Sequence, residues 1–131
     1  MIVNSGWAWM LAIGWFTITF ILFIIPGAEF PTEDWFDKIH LDKLIHIGIF
    51  GGLVLLFSLA AKLSFPVFYK RSGFILIPLL FIAYGLGIEF LQKHYIANRG
   101  FEWMDWVADI GGVTLALLLK RPVLKRFSPP S

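Results

Sequence analysis

The sequence contains no cysteine and few charged residues, and both absences narrow the class of protein. Without cysteine there are no disulfides and no thiolate metal ligands. Charged residues make up 15% of the chain, whereas about 25% is usual for soluble domains. No basic stripe or soluble domain accompanies the net charge of +2, so nucleic acid is not an expected partner. HExxH, GxSxG and phosphate-binding glycine loops are also absent, which leaves enzymatic activity open.

Apolar residues fill most of what remains, at 58% of 131 residues. A bilayer requires roughly 20 apolar residues for each helical crossing. The first apolar run follows no basic segment and ends in Pro26 and Gly27 rather than a cleavage site, so we expect a retained span. The sequence predicts an all-α, polytopic transmembrane bundle in a single domain, 1–131, with the lipid bilayer as its partner. The four predicted spans are residues 7–25, 44–61, 73–91 and 103–119.

The predicted connections differ in charge. We expect an acidic loop over 28–41, a basic connection over 62–72, a polar turn over 93–100 and a disordered tail from 120. Four spans place seven of the eleven basic residues on the side of the two termini. The positive-inside rule therefore predicts cytoplasmic termini, with the acidic loop facing outward.

Polar residues from distant parts of the chain fall near that outer face, because span two begins there, span three ends there and span four begins there. Asp42 has the position of an N-cap for span two, and the helix dipole favours acids such as Glu102 and Asp105 at the start of span four. The set predicted at this face is Asp42, Lys43, His46, Glu89, Gln92, Arg99, Asp105 and Asp109.

Glu89 and Asp109 are harder to explain by helix capping. Glu89 lies near the C-terminal end of its helix, where the dipole disfavours a negative charge. An acid within a membrane span is normally protonated or paired, and His46, Lys93 and Arg99 are the expected partners. Asp109 lies one turn deeper than the acids that the dipole favours, so it also needs a partner. A functional site and a structural ion pair both satisfy this requirement.

Three kinds of chemistry fit the set. Histidine and carboxylates can hold a divalent cation or pass a proton between an acid and a base. With Lys43 and Arg99 they can bind an anionic headgroup. No spacing identifies a metal or a cofactor. The candidate catalytic residues are His46, Glu89 and Asp105. The candidate substrate-binding residues are Asp42, Lys43, Gln92, Arg99 and Asp109.

Three short motifs resemble those of the VanZ-like family of small bacterial membrane proteins. They are Asp42-Lys43-Leu44-Ile45-His46, then Glu89-Phe90-Leu91-Gln92, and finally Arg99 followed by Asp105-Trp106-Val107-Ala108-Asp109-Ile110-Gly111-Gly112. The family's asparagine is Asp109 in this chain, which puts an amide-specific role in doubt. The resemblance spans roughly residues 37–116. It implies a multi-pass protein of the bacterial cytoplasmic membrane and cell envelope, in a family whose namesake is linked to teicoplanin resistance. The polar residues gathered at one depth favour an outward-facing polar pocket that handles an anionic or lipid-linked envelope molecule.

Two further functions fit the same residues. A proton- or ion-coupled transporter would use Glu89 and Asp109 as carriers and, with four spans, would need a homo-oligomer. Gly48 and Gly52 form a small-xxx-small pair that permits close helix approach. Alternatively, the ionic cluster fixes helix register in a structural membrane module.

Overall fold

The computed structural model describes residues 3–26 and 40–129, and its regular elements are all helical over these ranges. The four long helices are α1 (Ser5–Ile24), α2 (Leu41–Ser64), α3 (Pro66–Tyr95) and α4 (Trp103–Phe127). Helix α3 includes a π-helical turn at Tyr69–Gly73. The predicted all-α bundle is confirmed. The acidic loop falls almost entirely on residues outside the described ranges.

Helices α1, α2 and α3 are each long and apolar enough to cross a membrane. Their outward sides are apolar, with Ile13 and Leu79 each 56% exposed, as lipid-facing residues should be. Helix α4 has 25 residues but carries acids near its start and bases near its end. Whether α4 also has the arrangement of a crossing helix is decided by its direction relative to α2 and α3.

The contacts between α2 and α4 show that these two helices are parallel. At one end Lys43 bonds to Asp105, and at the other Lys62 bonds to Ser128, 2.8 Å away. Helix α3 is antiparallel to α4, since Glu89 near its C-terminal end meets Glu102, the residue at the N-cap position of α4. Helix α4 thus has the direction and length of a fourth crossing.

The helices extend further than the sequence predicted. Helix α2 continues to Ser64 and α3 begins at Pro66, so the expected basic connection over 62–72 is helical except at Phe65. Proline suits the first helical turn, where its missing N–H costs no hydrogen bond. The expected disorder from Lys120 is wrong as far as Phe127, because α4 runs to that residue and buries Lys120 completely.

Helices α2 and α4 approach each other through glycine. A methyl group added at Gly112 would lie 2.9 Å from the Ile47 Cα, and one at Gly51 would lie 3.4 Å from the Gly112 carbonyl oxygen. The glycine pair predicted from the sequence, Gly48 and Gly52, does not make this contact. Gly52 faces the Trp15 side chain of α1, and a methyl group at Gly48 would have no neighbour within 4 Å. The backbone contacts of α2 with α4 are at Ile47 and Gly51, each one residue before a member of the predicted pair.

Candidate functional site

Four titratable side chains from three helices are buried together at the end of the bundle where α2 and α4 begin. Their residues are between 0% and 8% exposed. The alternating helix directions bring them to one depth, as the sequence predicted. These residues, which we call the His46 cluster, are His46, Glu89, Asp105 and Asp109.

His46 lies between two aspartates of α4. Its Nδ1 is 2.7 Å from Asp109 Oδ1, and its Nε2 is 3.7 Å from Asp105 Oδ2. The two acids are one helical turn apart, so a single face of α4 presents both to the ring. The Phe23 ring of α1 lies 5.5 Å from the imidazole, centroid to centroid. This arrangement fixes the orientation of His46, as a base or a metal ligand requires.

Glu89 has a partner that the sequence reasoning missed. Its Oε2 accepts a hydrogen bond of 2.9 Å from the Glu102 backbone N–H, although the sequence predicted a cationic partner. Glu102 occupies the N-cap position of α4, so Glu89 lies at the positive end of that helix dipole. The dipole of α4 therefore offsets the unfavourable dipole of α3, the helix that carries Glu89. The turn between α3 and α4 creates this contact, and no sequence motif marks it.

Two buried carboxylate oxygens in the cluster have no hydrogen-bond partner among the described residues, Glu89 Oε1 and Asp109 Oδ2. A buried, unpaired carboxylate oxygen is costly and usually signals a proton, water or cation. The buried Tyr84 hydroxyl is also without a partner among those residues and lies within electrostatic reach of Asp109. Tyr84 is not among the predicted site residues. The sequence feature that could have indicated it is a polar hydroxyl within an otherwise apolar helix.

Lys43 forms the exposed edge of the cluster. Its ammonium bonds to Asp42 at 2.6 Å and to Glu102 at 3.0 Å, and it also contacts Asp105. Asp42 was predicted to cap α2, but the helix begins after His40 and no side chain caps it. Asp42 instead lies in the first turn as an ion-pair partner of Lys43.

Gln92 and Arg99 connect the cluster to α1. The Gln92 amide donates to the Phe23 carbonyl at 3.1 Å, and Arg99 Nε donates to the Ile25 carbonyl at 3.3 Å. Both acceptors lie at the C-terminal end of α1, where helix carbonyls lack partners within the helix. These contacts give both residues a structural role beside any role in binding.

Within residues 3–26 and 40–129, two groups of side chains have the spacing of a cation site. Asp42, Glu102 and Asp105 form one, but the Lys43 ammonium already bonds to all three. In the other group, one ligand atom from each of His46, Glu89 and Asp109 lies within 4.8 Å of the others. That group is buried and contains both unpaired oxygens, so it is the better candidate for a proton or a divalent cation.

No protein-family model matches the chain, and neither does any curated protein or solved structure. The fold and the cluster nevertheless define a class: an all-α bundle with three helices able to cross a membrane and a buried histidine–carboxylate cluster at one end.

Proposed function

We propose that this chain is a VanZ-like integral membrane protein of the bacterial cell envelope that binds the polar part of an anionic or lipid-linked envelope molecule at the His46 cluster. The observation that supports this most is the fixed position of His46 between Asp109 and Asp105. All three motifs that carry the VanZ-like resemblance contribute to the cluster, although they lie far apart in the sequence.

The position and the charges of the cluster suit such a ligand. The cluster lies within the first turns of α2 and α4, close to the depth of lipid headgroups. Carboxylates outnumber cations there, so an anionic group would bind through Lys43 and Arg99 or through a divalent cation held by Glu89 and Asp109. His46 would donate or accept the proton in any reaction of the bound group. The termini are cytoplasmic in this proposal, and the cluster faces outward.

Native mass spectrometry of protein released from mild detergent tests the proposal. We expect a co-purifying lipid or metal on the unmodified protein and its loss from the Glu89→Gln variant. The variant keeps an oxygen that can accept the Glu102 N–H, so it should fold. Glu102→Gln is the matched control, because its carboxylate is 60% exposed and bonds only to Lys43 among the described residues. Equal ligand content in all three proteins would contradict the proposal.

A second candidate function is a proton- or ion-coupled transporter, and the two unpaired oxygens favour it. Glu89 and Asp109 share one neighbouring ionisable base, His46, so charge balance calls for one additional proton or cation. In liposomes with an internal pH-sensitive dye, this function predicts a proton flux that Glu89→Gln abolishes and Glu102→Gln preserves. If neither a flux nor a ligand depends on Glu89, and Glu89→Gln only lowers the melting temperature, the cluster is structural.

A further inference from the structure

Basic residues line an open cleft at the end of the bundle opposite the His46 cluster. The cleft has a volume of about 590 Å³, within the range of small-molecule sites. A smaller cavity adjoins it and shares Lys62, Phe74 and Arg121 with it, and Lys120 lines that cavity. The basic residues that line the two are Lys62, Lys70, Arg71, Lys120 and Arg121.

No described acidic residue lies at this end. Asp42 begins α2, Glu89 lies near the end of α3, and the other described acids begin α4, all at the opposite end. The described hydrogen bonds of the two most buried bases go to neutral oxygens. Lys62 donates to Ser128 Oγ at 2.8 Å, and Lys120 donates to the Phe74 carbonyl. The positive charge of the cleft is therefore not balanced by any described carboxylate.

The shape of the cleft follows from the π-helical turn Tyr69–Gly73, which buries Tyr69 and leaves Lys70 and Arg71 exposed. Such turns recur at functional sites because they alter the direction of side chains along a helix. The Phe74 ring forms part of the wall, with the Lys120 ammonium 3.5 Å and the Arg121 guanidinium 5.7 Å from its centroid.

We propose that this cleft binds the phosphate of an anionic phospholipid in the adjacent leaflet. Arginine and lysine bind phosphate through charge-assisted hydrogen bonds. A lipid fits better than free phosphate because the cleft lies where α2 ends and α3 begins, at the boundary of two membrane-crossing helices. Its lining also includes Ile75, 56% exposed, beside which an acyl chain can lie. This site is independent of the His46 cluster and of the function proposed for it.

Native mass spectrometry with added lipid tests this site on the 131-residue chain. Phosphatidylglycerol, phosphatidylcholine and inorganic phosphate are each titrated separately, and inorganic phosphate is then added in competition with phosphatidylglycerol. The test variant is Lys70→Gln with Arg71→Gln, both exposed and both lining the cleft. The matched control is Lys125→Gln with Arg126→Gln, which removes the same charge from exposed positions at the same end of the bundle, outside the lining of the cleft.

We expect phosphatidylglycerol to bind the unmodified protein and the control about equally. The test variant should bind it roughly thirtyfold more weakly, because it has lost the charge-assisted hydrogen bonds of two basic residues to the phosphate. Phosphatidylcholine should bind all three weakly and equally. Equal losses in the test and control variants would overturn the proposal, because attraction would then come from net charge alone. Displacement of the lipid by an equal concentration of inorganic phosphate would also overturn it, in favour of a soluble phosphate ligand.

Discussion

Asp109 combines one strong hydrogen bond with one unpaired oxygen. Oδ1 lies 2.7 Å from His46 Nδ1, and Oδ2 has no partner among the described residues. Asparagine could accept the same hydrogen bond from His46 while removing the charge. We therefore expect Asp109→Asn to change the free energy of unfolding by less than about 1 kcal/mol, whereas Asp109→Ala should lower it by about 1–3 kcal/mol by leaving the buried His46 Nδ1 unpaired. Denaturation followed by circular dichroism in detergent measures both.

Comparing Asp109→Asn with Asp109→Ala separates the contribution of the hydrogen bond to stability from that of the negative charge. If Asp109→Asn destabilises the protein as much as Asp109→Ala, the negative charge itself stabilises the fold, and His46 is held as an imidazolium. If asparagine is tolerated but abolishes ligand retention, the charge serves binding. The motif that this chain resembles has asparagine at this position, so Asp109→Asn also tests whether the aspartate is needed here.

At the scale of a helix, the contact between α2 and α4 depends on Gly112. A methyl group there would lie 2.9 Å from the Ile47 Cα and would meet the backbone, which cannot rotate away. We expect Gly112→Ala to lower the free energy of unfolding by about 1–3 kcal/mol and to weaken ligand retention, because Ile47 adjoins His46. Gly111→Ala is the control, since its methyl group would have its nearest neighbour at 3.8 Å. Equal effects of the two alanines on thermal unfolding would contradict this account.

A hydrogen bond between α3 and α4 depends on Pro78 and Lys120. Proline has no N–H, so Pro78 leaves the Phe74 carbonyl without its usual partner four residues later. The Lys120 ammonium donates to this carbonyl from α4, which explains why a lysine is completely buried there. Lys120→Met should lower the free energy of unfolding by about 1–3 kcal/mol.

Pro78→Ala in the Lys120→Met background should recover roughly 1 kcal/mol, because the alanine can supply the missing N–H to the Phe74 carbonyl. When Lys120 is intact, Pro78→Ala should increase the free energy of unfolding by less, since Lys120 already satisfies the Phe74 carbonyl. A double-mutant cycle on thermal or denaturant unfolding measures this coupling. Additive effects would show that the two residues act separately.

The sequence predicted the helices and the depth of the site, but not its pairings. Alternating helix directions bring His46, Glu89 and Asp105 to one end regardless of side-chain detail, so topology alone predicts their proximity. Glu89 accepts from a backbone N–H because of how the turn from α3 into α4 folds, and no motif encodes that geometry. The predicted end of α4 differs from the observed one for a similar reason. The sequence predicts a disordered tail from Lys120, because the carbonyl partner of Lys120 on α3 is 46 residues away and no local pattern indicates it.

At the scale of the whole molecule, charge divides the bundle into two unlike ends. All nine acidic residues of the sequence lie within 29–42 or 89–109, and seven of the eleven basic residues lie within 62–71 or 120–126. This asymmetry, together with the parallel arrangement of α2 and α4, predicts four crossings with outward-facing acids. The His46 cluster and the basic cleft would then face different leaflets and different aqueous compartments.

Single-cysteine labelling tests this topology, because the chain has no cysteine of its own to react. Tyr95→Cys lies at the acidic end, where Tyr95 is 80% exposed, and Arg126→Cys lies at the basic end at an exposed position. A membrane-impermeant maleimide applied to intact spheroplasts should label the Tyr95→Cys variant directly and the Arg126→Cys variant only after the membrane is permeabilised. The reverse pattern would invert the orientation and place the His46 cluster in the cytoplasm. Labelling of both variants before permeabilisation would show that α4 does not cross the membrane, and the parallel contact of α2 with α4 would then need another explanation.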